Sequence, residues 1–408
     1  MEFKTMLGNY ADVIITKGVS MKKGQKVEIN SSFENKDLAI LIMEKAFARG
    51  AADVLINWLD FEASKIRYMM APKEVFETVP AWEKLKDERL KPEEWCMVII
   101  STPDPEAYKD VDPEILGKAM QTRSKAFEKT SQQRMNMDIK WCIALGVTEA
   151  WAIKAFPDLD SLKAVKKLWD CVFKCTRVDE PNYIELWDKH LKNLSDKYTI
   201  LNNKKYIKLK YKGPGTDFEI KPFRSANWLG GGSIAYDGTI VVPNMPTEEI
   251  FSVPDKYSAN GKVSSTMPLV YNGNVIKNLW FEFKDGMVVD FGADQGKEVM
   301  AKFLDTDEGS KYLGEMALVP VSSPISELNI VFFNTLYDEN ASCHIALGNG
   351  VSMCTKEVNE MTKEEKSKAG FNTSTVHLDF MIGSNKLNIT GTLPDGTEEK
   401  IFVDGEWA

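Results

Sequence analysis

At Tyr206 the 408-residue chain changes its pattern, and that change limits what it can fold into. Before it, apolar runs of strand length alternate with helical stretches. The spacing predicts a helix over 3–17 ended by Gly18, a strand over 25–30, a helix over 37–49 stopped by Gly50, and a strand over 52–58. Helices over 62–70 and 82–89 follow, then the run Trp95-Cys96-Met97-Val98-Ile99-Ile100-Ser101, which reads as a buried strand. A long helix over 113–136, a strand over 140–146 and a helical stretch over 148–202, broken at Pro157 and Pro181, complete this half. Strands separated by helices imply a mainly parallel sheet covered on both faces.

From Tyr206 onward short strands and tight turns dominate. Lys212-Gly213-Pro214-Gly215, Asn272-Gly273-Asn274, Lys284-Asp285-Gly286 and Pro394-Asp395-Gly396 are hairpin signals. Helical insertions are expected over 296–304 and 356–368, the second highly charged and solvated. The expected fold is therefore an α/β N-terminal domain with a mainly parallel sheet over 1–203, followed by an α+β C-terminal domain with mainly antiparallel strands over 204–408. Gly230-Gly231-Gly232 is no phosphate loop, because a strand and turn follow it where a helix N-terminus is needed.

Composition narrows the function. A formal net charge of −9, without a concentrated Lys or Arg patch, excludes a nucleic-acid binder. No apolar run reaches the roughly 18 residues of a membrane span, and Met1-Glu2-Phe3-Lys4-Thr5-Met6 lacks a signal-peptide pattern, so cytoplasmic residence is expected. The six cysteines show no C-x-x-C spacing and read as reduced thiols, with Cys171 and Cys175 sharing a core-facing side of a helix.

Only three histidines occur in the chain, and two fall in apolar strands. In Ser374-Thr375-Val376-His377-Leu378-Asp379-Phe380-Met381-Ile382-Gly383, alternation puts His377 and Asp379 on one face and Val376, Leu378, Phe380 and Ile382 on the other. One face packs while the other offers a nitrogen and an oxygen ligand about 6–7 Å apart at Cα, suited to Zn²⁺, Co²⁺ or Mn²⁺. His344 lies in a second such run, Cys343-His344-Ile345-Ala346-Leu347-Gly348, with Cys343 on the opposite face. The third, His190, stands amid Asp188, Lys189 and Lys192 and reads as a solvated helix residue. Two carboxylate positions join the candidates. Glu315 is the single acid at the start of the apolar strand Leu313-Gly314-Glu315-Met316-Ala317-Leu318, where an acid is costly unless paired or bound to metal. Glu248 and Glu249 follow the proline turn Asn244-Met245-Pro246, and since neighbours in an extended segment face opposite ways, one of the two is the ligand.

With these residues assembled, the chain resembles the thermophilic-type metalloaminopeptidases, the aminopeptidase T, aminopeptidase S and PepS-like family, over essentially its whole length. The carriers are Pro243-Asn244-Met245-Pro246-Thr247-Glu248-Glu249-Ile250-Phe251, Gly314-Glu315-Met316-Ala317-Leu318-Val319-Pro320, His344-Ile345-Ala346-Leu347-Gly348 and His377-Leu378-Asp379-Phe380-Met381-Ile382-Gly383. The resemblance implies that Glu249, Glu315, His344, His377 and Asp379 hold two divalent metal ions, Zn²⁺, Co²⁺ or Mg²⁺, in the C-terminal domain. It implies hydrolysis of peptides with a free N-terminus through a metal-activated water, with Glu315 bridging and Glu248 as a general base. It further implies a homodimer. One position departs from the family: a tyrosine commonly follows the first histidine by seven residues, and here Val351 stands there, leaving Ser352, Tyr236 or a water to replace the hydroxyl. The alternatives are a metal-binding homologue with weak or no peptidase activity and a metallohydrolase of another amide or ester.

Overall fold

The computed structural model describes residues 1–101, 107–108, 110–271 and 274–408. Cα packing divides them into two compact units, 1–188 with 232–246, and 189–231 with 247–408.

The first unit is built on a five-stranded parallel sheet in the order Asn244–Met245, Lys140–Leu145, Trp95–Ser101, Lys26–Ser32 and Asp53–Leu59. Val27, Ile29, Cys96 and Val98 are fully buried, as inner strands covered on both sides require. Helix Ser161–Cys175 is capped by Asp160, whose side chain accepts from the Lys163 N–H, and it buries Leu168, Cys171, Val172 and Cys175 on one stripe. Its two cysteines are free, buried thiols. The helix expected over 113–136 is instead two, Pro113–Ala126 and Glu128–Met135, because Phe127 leaves helical geometry at φ −113° and ψ 19°.

Two larger antiparallel sheets make up most of the second unit. The larger runs Met287–Gly292, Trp280–Lys284, Asn260–Ser264, Thr216–Ile220, Lys208–Gly213, Asn388–Thr392, Glu398–Val403 and Glu406–Trp407. The smaller runs His377–Met381, His344–Gly348, Leu313–Leu318, Ile250–Ser252 and Leu229–Gly230. Phe218, Phe281 and Phe283 of the first share one core with Ile345, Leu347, Leu378 and Phe380 of the second, and the rings of Phe281 and Phe380 lie 5.0 Å apart. At about 1.5–3 kcal/mol for each buried side chain, this cluster fixes which face of the small sheet points inward. The Lys284-Asp285-Gly286 and Pro394-Asp395-Gly396 turns join paired strands as the hairpin signals require. Asn272 and Gly273 lie outside the described residues, and their flanking strands Leu269–Tyr271 and Asn274–Ile276 pair antiparallel.

Among the charged residues of the second expected insertion, helix spans only Lys363–Ala369. Thr362 and Glu365 close a capping box at its start, and Gly370, at φ +90°, ends it. No helix among the described residues is long and apolar enough to cross a membrane.

Candidate metal centre

The polar face of the small sheet gathers the candidate ligands by register. Glu315 pairs with Ala346, and Ala346 pairs with Asp379, so the two acids flank a methyl group across three strands. His344 pairs with Ala317, and His377 with Gly348. Small residues between the acids and imidazoles leave room for ligands above the sheet. A register shift between Leu313 and Glu315 aims the glutamate, a common use of a bulge beside a site. Gly348 has φ +106°, and a Cβ there would stand 2.1 Å from the Val376 carbonyl oxygen, so only glycine lets the two histidine strands meet.

Both imidazoles are oriented alike. His344 Nδ1 is 3.1 Å from the Ser342 carbonyl oxygen and His377 Nδ1 is 2.9 Å from that of Asn349. A carbonyl only accepts, so each Nδ1 donates and each Nε2 is turned onto carboxylates. His344 Nε2 lies 3.3 Å from Glu249, while His377 Nε2 lies 3.2 Å from Glu315 and 3.3 Å from Asp379. Glu249, Glu315 and His344 form one group whose ligand atoms fall within 4.8 Å of one another, and Glu315, His377 and Asp379 form a second. Glu315 is common to both. The groups differ in access, for the His344 side chain is 1% exposed and that of His377 is 34% exposed.

Charge crowding perturbs every member for which a shift is seen. Burial alone would lower the His344 imidazole, but Glu249, Asp379 and Glu315 raise it to about 10. Burial opposes a charged His377 likewise, and Asp379 with Glu315 carries it to about 12. Glu315 is pushed up by burial and by Asp379 and Glu249, against the pull of His377. Asp379 is held low, since the two imidazoles outweigh burial. Among the described residues, imidazoles are the only cationic groups within 4.0 Å of Glu249, Glu315 or Asp379. A buried excess of carboxylate over cation, with nitrogen ligands already oriented, fits a divalent metal.

One member carried no signal in the sequence. Glu339 ends the short helix Thr335–Glu339, and its carboxyl is driven well above the usual range by burial and then by Glu249 and Asp379. Its charge is thus felt by Glu249 and Asp379, although it belongs to neither ligand group. In Tyr337-Asp338-Glu339-Asn340 nothing separates it from the neighbouring polar residues.

Glu248 and Glu249 part company as the extended segment requires. Glu249 meets His344, whereas Glu248 Oε2 lies 3.7 Å from His190 Nε2. His190 is thus no solvated helix residue: its side chain is 9% exposed and its Nε2 stands 2.7 Å from the Thr247 carbonyl oxygen. The charged neighbours that suggested exposure point elsewhere on the helix. Val351 donates its N–H to the Gly314 carbonyl, next to Glu315, and packs against the apolar cluster of Phe223, Val253, Cys354 and Phe371. The Tyr236 hydroxyl is engaged in the first unit, accepting from Gln25 and donating to the Glu93 carbonyl.

Carboxylates and imidazoles gathered on one strand face are the donor chemistry of a metal-dependent hydrolase. The sequence pattern of the family described as thermophilic metalloprotease (M29) matches residues 3–407, and the chain belongs to that family. It is 40% identical over 406 residues to aminopeptidase AmpS of Bacillus subtilis, covering 100% of this chain and 99% of that one. Aminopeptidase T of Thermus aquaticus is 34% identical over 405 residues, with 99% of each chain covered. The structure of wild-type AmpT from Thermus thermophilus superposes with a TM-score of 0.92 at 33% identity, covering 100% of both chains. The expected class of enzyme, a metalloaminopeptidase hydrolase, is the class these relatives carry, and membership implies a divalent metal. The parallel N-terminal and antiparallel C-terminal sheets are likewise those expected.

Proposed function

We propose that this metallopeptidase removes N-terminal residues from peptides at a centre holding two divalent cations, Zn²⁺, Co²⁺ or Mg²⁺. The observation that carries the reading is the matched orientation of His344 and His377, each with Nδ1 on a backbone carbonyl and Nε2 on carboxylates. That is how second partners fix an imidazole as a ligand. Glu249 and His344 would hold the deeper cation, His377 and Asp379 the other, and Glu315 would be shared. When bound, the cations would polarise the scissile carbonyl and bring a water toward ionisation near neutral pH.

The chain's own groups divide the remaining work. The exposed side of His377 leaves the second position open to substrate, as a catalytic site requires, while the buried His344 side is closed. Glu315 would be committed to the cations, so Glu339, outside both ligand groups and with its carboxyl raised by burial, Glu249 and Asp379, would take a proton from the attacking water and pass it to the leaving amine. Glu248 is turned onto His190 and supports the segment carrying Glu249.

Val351 favours a second reading, a metal-binding relative with little turnover. Metal-stripped protein assayed on aminoacyl-p-nitroanilides with and without each metal, beside His377→Ala, separates the two. Metal-restored release of N-terminal residues, lost in the variant, is expected; stoichiometric metal binding without release would favour the second reading. Hydrolysis of N-acetylated amides or esters alone would indicate a different metallohydrolase. A homodimer is part of the same reading, and a monomer mass by light scattering would remove that part.

A further inference from the structure

The first unit contains a cavity of about 900 Å³ whose floor is polar where a covered sheet should be apolar. Asn30 and Asn57 are register partners on adjacent strands, and Asn57 Nδ2 donates to Asn30 Oδ1 at 3.1 Å. Asn30 Nδ2 donates to Glu28 Oε1 at 3.2 Å, and the Arg89 guanidinium pairs with the other Glu28 oxygen. The Glu28 side chain is only 6% exposed. Burying such groups costs stability that apolar residues would not, so the floor is maintained for something other than packing. It also lies at the switch point of the sheet. From Lys26–Ser32 the chain first adds a strand on one side, Asp53–Leu59, and then on the other, Trp95–Ser101, and crevices at such a reversal are where open α/β sheets hold ligands.

The walls carry a charge imbalance. Arg89 neutralises Glu28, and Arg123 pairs with Glu83. Asp87 also lines the cavity and feels the charge of Arg134, but among the described residues no carboxylate stands within ion-pair distance of Arg134 or Arg67. Arg67 lies over the Phe76 ring at 5.1 Å. Arg134 offers Nη1 only to the Met97 sulfur, at 3.8 Å. A guanidinium that lines a cavity without an ion-pair partner presents a fork that a planar anion fits. Trp82 and Phe127 supply apolar walls.

We propose that this cavity is a second ligand site, independent of the metal centre, which takes a small carboxylate with an apolar or aromatic body through Arg134 and Arg67. Free amino acids and peptide C-termini share that chemistry.

Calorimetric titration of the intact chain with N-acetyl-L-phenylalanine tests it, since the blocked amine removes the N-terminus that the metal centre is proposed to use. Saturable binding is expected, at least about 10-fold weaker for the corresponding amide, and about 10- to 100-fold weaker in Arg134→Met. Arg67→Met, on an exposed helix face, gives the same direction without disturbing the core. L-phenylalanine and N-acetyl-alanyl-phenylalanine, both titrated into His377→Ala so that the metal centre does not take the free amine, assign the source: tighter binding of the first indicates free amino acids and of the second peptide C-termini. Equal binding of acid and amide, no binding of any acid, binding unchanged in both arginine variants, or binding lost in His377→Ala would each overturn the proposal.

Discussion

His190 Nε2 stands 2.7 Å from the carbonyl oxygen of Thr247, two residues ahead of Glu249. Because the carbonyl only accepts, Nε2 carries the proton there. Asn340 Oδ1 accepts the Glu248 N–H at 2.7 Å, so the chain entering the metal centre is held on both its carbonyl and its amide. His190→Phe keeps the ring volume and removes the donor. We expect metal affinity to fall about 10- to 100-fold, as when other ligand-supporting partners are lost. Metal-free stability should fall by about 1–3 kcal/mol for the orphaned carbonyl. His190→Gln, which restores an N–H donor, should recover most of the affinity. Metal titration and denaturant unfolding of the three proteins check this, and equal affinities would remove His190 from the site's support.

Glu315 belongs to both ligand groups, and Asp379 to one. Glu315→Gln should therefore weaken both sites by 100-fold or more, while Asp379→Asn should leave one ion per chain; losing a single buried charged partner costs about 3–5 kcal/mol. Glu339→Gln, outside both ligand groups, should keep two ions and lose turnover. Metal content by elemental analysis after dialysis against a calibrated buffer distinguishes the three outcomes. Retention of two ions by Glu315→Gln would show that it does not bridge.

The strands that carry the candidate ligands were legible because period-two alternation fixes which residues of Leu313–Leu318, His344–Gly348 and His377–Met381 share a face. Which faces meet was not, since strand pairing and a register shift at Leu313–Glu315 are tertiary events. Glu339 and His190 stayed hidden for a related reason. Each sits in a polar helical stretch, and helical spacing does not say which polar residue turns inward when the neighbouring element is distant in sequence. The Asn244–Met245 strand, only two residues long, likewise carries no pattern that would announce its place beside Lys140–Leu145.

Protons should compete with metal at the proposed centre. The folded pKa of His344 is raised to about 10 and that of His377 to about 12, so in the metal-free protein both imidazoles are charged at neutral pH. Their contribution to metal-free stability is complete below about 6.5, the unfolded value, and is lost as pH rises through about 10 and then about 12. Metal ligation needs the neutral imidazole, so loading at pH 7 must release protons, about two from these residues. Calorimetric titration in buffers of different ionisation enthalpy should read that release. Affinity should also climb with pH between about 6 and 9. A pH-independent affinity with no proton release would mean that the imidazoles are not ligands.

Val351 holds the place beside Glu315 where the family's tyrosine is expected, through its N–H on the Gly314 carbonyl. A hydroxyl there could donate to charge that develops on the reacting carbonyl, a contribution about 10²–10³ in kcat where such donors have been removed. Val351→Tyr should raise kcat on aminoacyl-p-nitroanilides by about 10-fold or more. The larger ring intrudes on the cluster of Phe223, Cys354 and Phe371, so a loss of about 1–3 kcal/mol in stability is expected with it. Val351→Phe brings the same bulk without the hydroxyl and separates the two effects. If the tyrosine and phenylalanine variants turn over alike, the hydroxyl is not what the site lacks, and its acid–base chemistry is complete with the carboxylates already present.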